Sequence, residues 1–535
     1  MVEPSAHDIF RPNAHNARMK SRLSLRGVSW CAAGAACCIA VWIACSSSDS
    51  DEAPGASVLQ HHNHANRDGL YVDAAFTKAA AAQLHIDPSF HASIEGPTYA
   101  QPLYLDRGSG GADLVLAVTE QNRVYALDAT TGSVVWQTKL GEPVSRSALP
   151  CGDIDTVGMT GTPVIDFASK TLFVAAMVTP DGGTTKKHLV FALSIDDGST
   201  RSGWPLDVEA SVKFGATAFQ PTVQNQRSAL ALFNGTLYVA YGGHTGDCGD
   251  YRGWVVGIPL GSPSSAQGFA TGVRGGGIWA PGGFASDGTS LFVATGNTFG
   301  TTTWQQGEAV LRFETGVAFS GAAKDYFTPS NWKPLDDSDA DLGGTGPVIV
   351  DVPGATPSQL VVALGKNGVA YLLDRANLGG VGHGDGTMGE GITSAKVASG
   401  SIINAAAAYT TTMGTYVVVG ASGTGCASGS GDLTAIKISA ASPPQITVAW
   451  CAQQNGRGAP IVTTTDGRSD AIIWSVGAEG ANRLVGFDGD TGQVVFAGGG
   501  AAEALPNIRR FSTPIVAKGR IFVASDSAVH AFTTH

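Results

Sequence analysis

The chain has 535 residues, with 33 Lys+Arg against 44 Asp+Glu, 71 Gly and 43% hydrophobic residues. So much apolar content can build a large core and excludes global disorder. The formal net charge of −11 leaves no basic stripe of the kind that phosphate backbones require, which argues against a nucleic-acid partner. Charged residues are only 14%. The faces of long amphipathic helices are therefore scarce, and glycine-rich, turn-rich β-structure is expected.

The first element reads as an address. Lys20, Arg22 and Arg26 precede the apolar run Val28–Ala44, the order of a secretory signal; an uncleaved anchor helix is the alternative. Met19-Lys20 makes a more natural start than Met1. Ile43-Ala44-Cys45 resembles the cleavage box of bacterial lipoproteins, with Trp42 where that box prefers Leu. The resemblance implies lipidation at Cys45 and export to the cell envelope, with membrane contact only through the lipid. Residues 1–45 are thus read as signal, 46–60 as a flexible tether, 61–95 as an N-terminal extension and 96–535 as the folded domain. His61, His62 and His64 cluster after the tether, with no helix or strand to aim them at a metal. Thr77 followed by Lys78 and four alanines predicts one short capped helix.

Cys31, Cys37 and Cys38 lie in the signal, leaving Cys151, Cys248, Cys426 and Cys451. An even number in an exported chain predicts two disulfides, with four free thiols as the alternative. Cys426 precedes the strand DLTAIKIS and Cys451 ends the strand ITVAWC. Antiparallel neighbours would bring their outer ends together, which favours 426–451 and leaves 151–248.

An internal repeat organises the rest. VYALDATTGSVVW from Val124 returns as LVGFDGDTGQVVF from Leu484, with weaker copies from Val190, Ala370 and Leu433. In the clear copies an apolar strand meets an Asp- and Gly-containing tight turn, then a second apolar strand. Upstream of the copies stand eight strand openings with small residues or Pro, at Tyr99, Thr160, Arg227, Ala280, Gly344, Ile403, Gly458 and Ser512. Their spacing suits four strands each. The expected fold is therefore all-β, an eight-bladed β-propeller of four-stranded antiparallel blades, with seven blades as the alternative. The last copy lacks a fourth strand, which residues 60–98 should supply to close the ring.

The motif YALDATTGSVVW resembles the repeat of quinoproteins that use pyrroloquinoline quinone (PQQ). The resemblance spans nearly all of residues 96–535. It also extends to uncharacterised exported PQQ-repeat proteins, to polyvinyl-alcohol dehydrogenase-like relatives, and to scaffold lipoproteins that bind no quinone. In GGGIWAPGGFASDGTSLFVATGN the resemblance implies that Trp279 floors the quinone and Asn297 binds Ca²⁺. In the stretch from Asp339 to Arg375 it implies Asp341 as the catalytic base and, with Asn297, a ligand to Ca²⁺, and Lys366 as a cation at the quinone, with Asp339 as a second acid. Ca²⁺ would act as a Lewis acid on the quinone. Trp136 and Trp450 are read as packing between blades, and Arg227 and Arg252 as further cations for the carboxylates of PQQ. Glu308 and Arg312 look like ordinary strand positions.

The sequence departs from the dehydrogenases in two places. The stretch from Tyr241 lacks their Glu ligand; Cys248 falls near that position, and Asp247 or Asp250 would have to substitute at the metal. Their vicinal disulfide is absent after residue 45. No Cys-x-x-Cys-His occurs, so electrons would pass to a separate acceptor. Two functions are therefore expected: oxidation of an alcohol or sugar with PQQ and Ca²⁺, or a non-catalytic envelope propeller binding a protein or polysaccharide.

Overall fold

The computed structural model describes residues 55–314, 316–384, 388–426 and 431–535. The expected signal and Cys45 lie outside the described residues. Among the described residues no helix is long and apolar enough to cross a membrane.

The repeats fold into eight sheets of four or five strands, each built on an antiparallel ladder. The eight openings lead into the innermost strands, at 103–105, 164–166, 231–233, 285–286, 348–351, 407–411, 461–464 and 515–517. Innermost strands touch between blades 2 and 3, 4 and 5, 5 and 6, and 6 and 7, and 515–517 of the last blade touches 103–105 of the first, closing the ring. The chain is an eight-bladed β-propeller, and these sheets are numbered as blades 1 to 8. The second strands are buried, Leu114–Val118 throughout and Gln359–Leu364 in all but its first residue, because neighbouring blades cover both of their faces.

The clear repeats turn differently from a tight hairpin. Asp128 Oδ1 accepts from the backbone N–H of Thr130 and Thr131. The Asp128 N–H reaches Ser133 O at 2.8 Å. Gly132 takes φ +77°, and a register shift follows between Ala126 and Leu127. Asp488, Gly492 and the shift at Gly486 repeat the pattern. The extra residue arises because the Asp side chain caps a longer loop and the outer strand bulges to follow it. The Asp488 turn also receives a tryptophan from the preceding blade, Trp450 Nε1 donating to Gly489 O, and Trp136 Nε1 of blade 1 likewise donates to Ile195 O in the turn of blade 2.

The last blade is completed from the N-terminal side. His85–Ile86 pairs with Phe532–Thr533, and Ala92–Ser93 with Ala528–Val529. Thr77 caps the helix Lys78–Ala81 by accepting from Ala80 N.

The fold begins earlier than the sequence suggests. Val58, placed in the tether, is buried and pairs with Tyr104. From there the chain threads the ring. The carbonyls of Leu59, Ala65, Asn66, Asp68 and Gly69 accept from Ile165, Ser286, Ile349, Ala408 and Val462, all on or beside innermost strands of successive blades. Leu70–Val72 then adds a parallel strand to blade 7, and Asp73 Oδ2 accepts from Gly519 N in blade 8. At the centre lies Arg67, buried at φ +63°. It donates to the carbonyls of Phe284 (2.6 Å), His61 (2.6 Å) and Leu230 (3.2 Å), and to Gln60 Oε1 (3.0 Å). His61 and His62 are buried beside it with stacked rings. Residues 58–73 therefore form a plug tied to every blade, and the histidines belong to it.

Candidate functional site

In three successive blades the repeat delivers a residue to one cavity directly after the second strand. In blades 3, 4 and 5 that strand runs into a glycine and then a polar residue: Gly243-His244, Gly296-Asn297 and Gly365-Lys366. The segments leading into the innermost strands supply Tyr99, Arg227, Trp279, Asp341 and Phe511. All of these line one cavity of about 190 Å³.

Trp279, Asn297, Asp341 and Lys366 meet there. Asp341 is the hub: its Oδ1 accepts from the Asn297 N–H at 2.9 Å, and its Oδ2 from Trp279 Nε1 at 3.0 Å. The Lys366 ammonium stands 2.8 Å from the same Oδ2 and 2.8 Å from Asp339 Oδ1. Two cations flank the Trp279 indole: Lys366 Nζ at 5.1 Å from the ring centroid and the Arg227 guanidinium carbon at 5.2 Å, within cation–π range. This closeness requires glycine at 296, where a Cβ would come within 3.1 Å of both the Asp341 carboxyl carbon and Trp279 Nε1.

Burial dominates the electrostatics. It pushes the Asp341 carboxyl up, against the Lys366 ammonium that favours its charge. Burial also works against the charge on Lys366, but the carboxylates of Asp341 and Asp339 outweigh it and hold the amine above its usual value. Arg227 is lowered by burial despite nearby Asp153, Asp247 and Asp341. Its Nε is buried without a hydrogen-bond partner. His244 is pushed down to about 3, first by burial and then by His188 and Arg227, so the ring is neutral.

The residues expected to hold calcium do not fit that ion. Both Asp341 oxygens already accept hydrogen bonds, and the Lys366 ammonium stands where a bound cation would meet like charge. Asp247 lines the cavity, but its Oδ1 accepts from Tyr251 OH at 2.6 Å. Among the described residues no group of three or more His, Cys, Asp or Glu is placed to hold a metal. Hard divalent cations need several oxygen donors at once. Arg252 lies outside the cavity, donating to Thr271 O and standing 3.9 Å from Asp250. Cys248, near the missing Glu position, is bonded to Cys151, and Cys426 to Cys451.

Glu308 is not an ordinary strand position. It is fully buried at φ +50°, its Oε2 accepts from Leu342 N at 2.6 Å, and its Oε1 has no partner. Burial first, then the Asp341 charge, raises it well above the carboxylate range. It fastens the turn that carries Asp341 to the strand that follows Asn297. Arg312 is equally buried and pairs with Asp325. His244 was also missed, although the Gly-polar pair closing the second strand of three successive blades was available as a signal. Glu308 had none, because its role depends on a contact across 34 residues.

Residues 93–247 match the family model described as outer membrane protein assembly factor BamB. No curated protein matches the sequence. Among solved structures, quinohemoprotein alcohol dehydrogenase ADHIIG from Pseudomonas putida HK5 is similar at 13% identity, TM-score 0.61, covering 90% of this chain and 81% of that one. The quinohemoprotein alcohol dehydrogenase of Comamonas testosteroni gives 14% identity and TM-score 0.57 over 91% and 81%. A europium-containing methanol dehydrogenase gives 13% and 0.55 over 88% and 89%. The fold is that of the PQQ-repeat, quinoprotein-like β-propellers.

Proposed function

We propose that the cavity binds a planar, multiply anionic quinone of the PQQ type, and that the chain oxidises a small alcohol or sugar. The observation that carries this reading is the Trp279 indole, flanked by the Arg227 and Lys366 cations, with the Asp341 carboxylate at its rim. An aromatic face suits a flat conjugated ring. The two cations suit the carboxylates that such a cofactor carries. Bound there, a quinone would supply the two-electron sink that takes hydride from the carbinol carbon. The chain's own part is proton chemistry and placement. Asp341 takes the hydroxyl proton, and its raised pKa makes it a stronger base. Asn297 N–H and Trp279 Nε1 hold that carboxylate in one orientation. Calcium is left out of this reading because its donors do not assemble.

The reading also takes the chain as exported and tethered through Cys45, handing electrons to a separate acceptor. A second reading, a non-catalytic envelope scaffold that binds a protein partner, is favoured by the match of residues 93–247 to an assembly-factor model. Turnover of PQQ-loaded protein with a panel of alcohols and sugars, followed with an artificial electron acceptor, separates the two. Activity that falls at least a hundredfold in Asp341→Asn, with PQQ still bound, supports the enzyme. Bound PQQ with no turnover on any substrate supports the scaffold.

A further inference from the structure

We infer that the hairpin of residues 144–157 is a lid on the candidate cavity, anchored covalently by Cys151–Cys248 and latched ionically by Arg510 to Asp153. The inference rests on the reading above only for the identity of what enters.

The hairpin lies between the outer strand of blade 1 and the inner strand of blade 2. Its ladder is two residues long, Val144–Ser145 against Thr156–Val157. So short a two-stranded ribbon has little stability of its own; Val144, Leu149, Ile154 and Val157 seat it in an apolar cluster with Tyr99, Met177 and Phe511, and ties at its tip do the rest. Asp153 and Ile154, at that tip, line the cavity.

Two ties reach the tip from opposite sides. The Cys151–Cys248 disulfide joins it to the loop after the second strand of blade 3, whose residues 244–247 form the adjoining cavity wall. On the other side Arg510 Nη1 meets Asp153 Oδ2 at 2.8 Å, while Arg510 Nε meets Glu479 Oε1 at 2.9 Å. Arg510 lines the cavity too, beside Phe511, which holds a strained φ of +69°. The ties differ in strength. The disulfide is permanent in an oxidising compartment. The Arg510–Asp153 pair is about a third exposed on each side, and pairs of that kind contribute little and weaken with salt. The side between the hairpin and blade 8, where Ile154 also packs in one apolar cluster with Phe511, is therefore the side whose hold responds to salt and to anions. An anionic ligand that pairs with Arg510 releases Asp153, so the lid yields to the charge type that Arg227 and Lys366 are placed to hold.

The test reads the lid without any cofactor. Acrylamide quenching of Trp279, taken as the difference from Trp279→Phe, reports access to the cavity, and hydrogen exchange of residues 146–155 reports lid opening. In Arg510→Gln both should rise about threefold, the scale of one exposed ion pair. Raising NaCl from about 20 to about 500 mM should raise both in the wild type but not in the variant. Cys151→Ser/Cys248→Ser should speed exchange of the hairpin further. If that variant does not fold, Arg510→Gln alone decides. Unchanged quenching and exchange in Arg510→Gln overturn the lid, whatever PQQ does. The expected changes in protein that binds no PQQ uphold the lid and refute only the cofactor reading.

Discussion

Gly296 stands between Asp341 and Trp279, and replacing it with alanine probes how tightly they are set. The backbone there takes no left-handed conformation, so alanine adds no backbone strain and only its Cβ is tested. The new Cβ would stand 3.1 Å from the Asp341 carboxyl carbon, 3.1 Å from Trp279 Nε1 and 3.2 Å from Asp341 Oδ1. Relief requires shifts of a few tenths of an ångström, at the low end of the roughly 1–3 kcal/mol that overpacking costs. Reduced freedom of the unfolded chain returns about 0.4–1 kcal/mol. The net loss is about 1 kcal/mol at most, roughly 1 °C in Tm for a domain of this size. Placement should suffer more than stability, with ligand affinity falling about tenfold. Gly343→Ala is the contrast. There a Cβ would lie 2.5 Å from the backbone N of Gly296 and 2.5 Å from the Thr295 carbonyl carbon; backbone cannot yield as a side chain can, and a loss of about 3 kcal/mol or more follows. Calorimetric Tm and ligand titration of both variants check this. Gly296→Ala with unchanged affinity, or Gly343→Ala with an unchanged Tm, would refute the packing argument.

Further outcomes follow from the plug and the ion pair. Arg67→Met removes four hydrogen bonds at the channel centre and strands buried carbonyls, costing about 3–5 kcal/mol; scanning calorimetry should show a drop of about 3–5 °C. Lys366→Met leaves Asp341 buried without its counter-charge and should cost about 1–3 kcal/mol. Adding Asp341→Asn should recover most of that loss, and equal Tm values for the single and double variants would contradict the pairing. Burial lowers His62 and His188 to about 4, so both are neutral in the fold while the unfolded chain takes up protons near 6.5. Stability is therefore full above that pH and falls as pH drops from about 6.5 to 4, by about 3 kcal/mol per histidine. Urea midpoints across this range that stay flat would contradict neutral burial.

Much of this molecule was legible as pattern. The eight strand openings are local sequence events, and each leads to an innermost strand. Trp279 and Lys366 stood out because the resemblance fixes their order along the chain. What stayed hidden depends on contacts between distant segments. The plug reads as the end of a tether (58–60) and the start of an extension (61–73) because its backbone, not its side chains, makes most of the ties to the blades, and Arg67 is buried only because carbonyls from blades 3 and 4 surround it. Glu308 looked like a strand residue because nothing local shows that Leu342 N points at it. The calcium expectation followed residue types in order; the geometry placed an ammonium on the carboxylate that was to bind the metal.

The most direct test of the central claim is a calorimetric titration of the purified protein with PQQ, with and without Ca²⁺. The account predicts saturable one-to-one binding with Kd on the order of micromolar or tighter. Binding should be unaffected by Ca²⁺ and lost in Trp279→Leu/Arg227→Gln. No heat at concentrations on the order of hundreds of micromolar, or binding that appears only when Ca²⁺ is added, would contradict it.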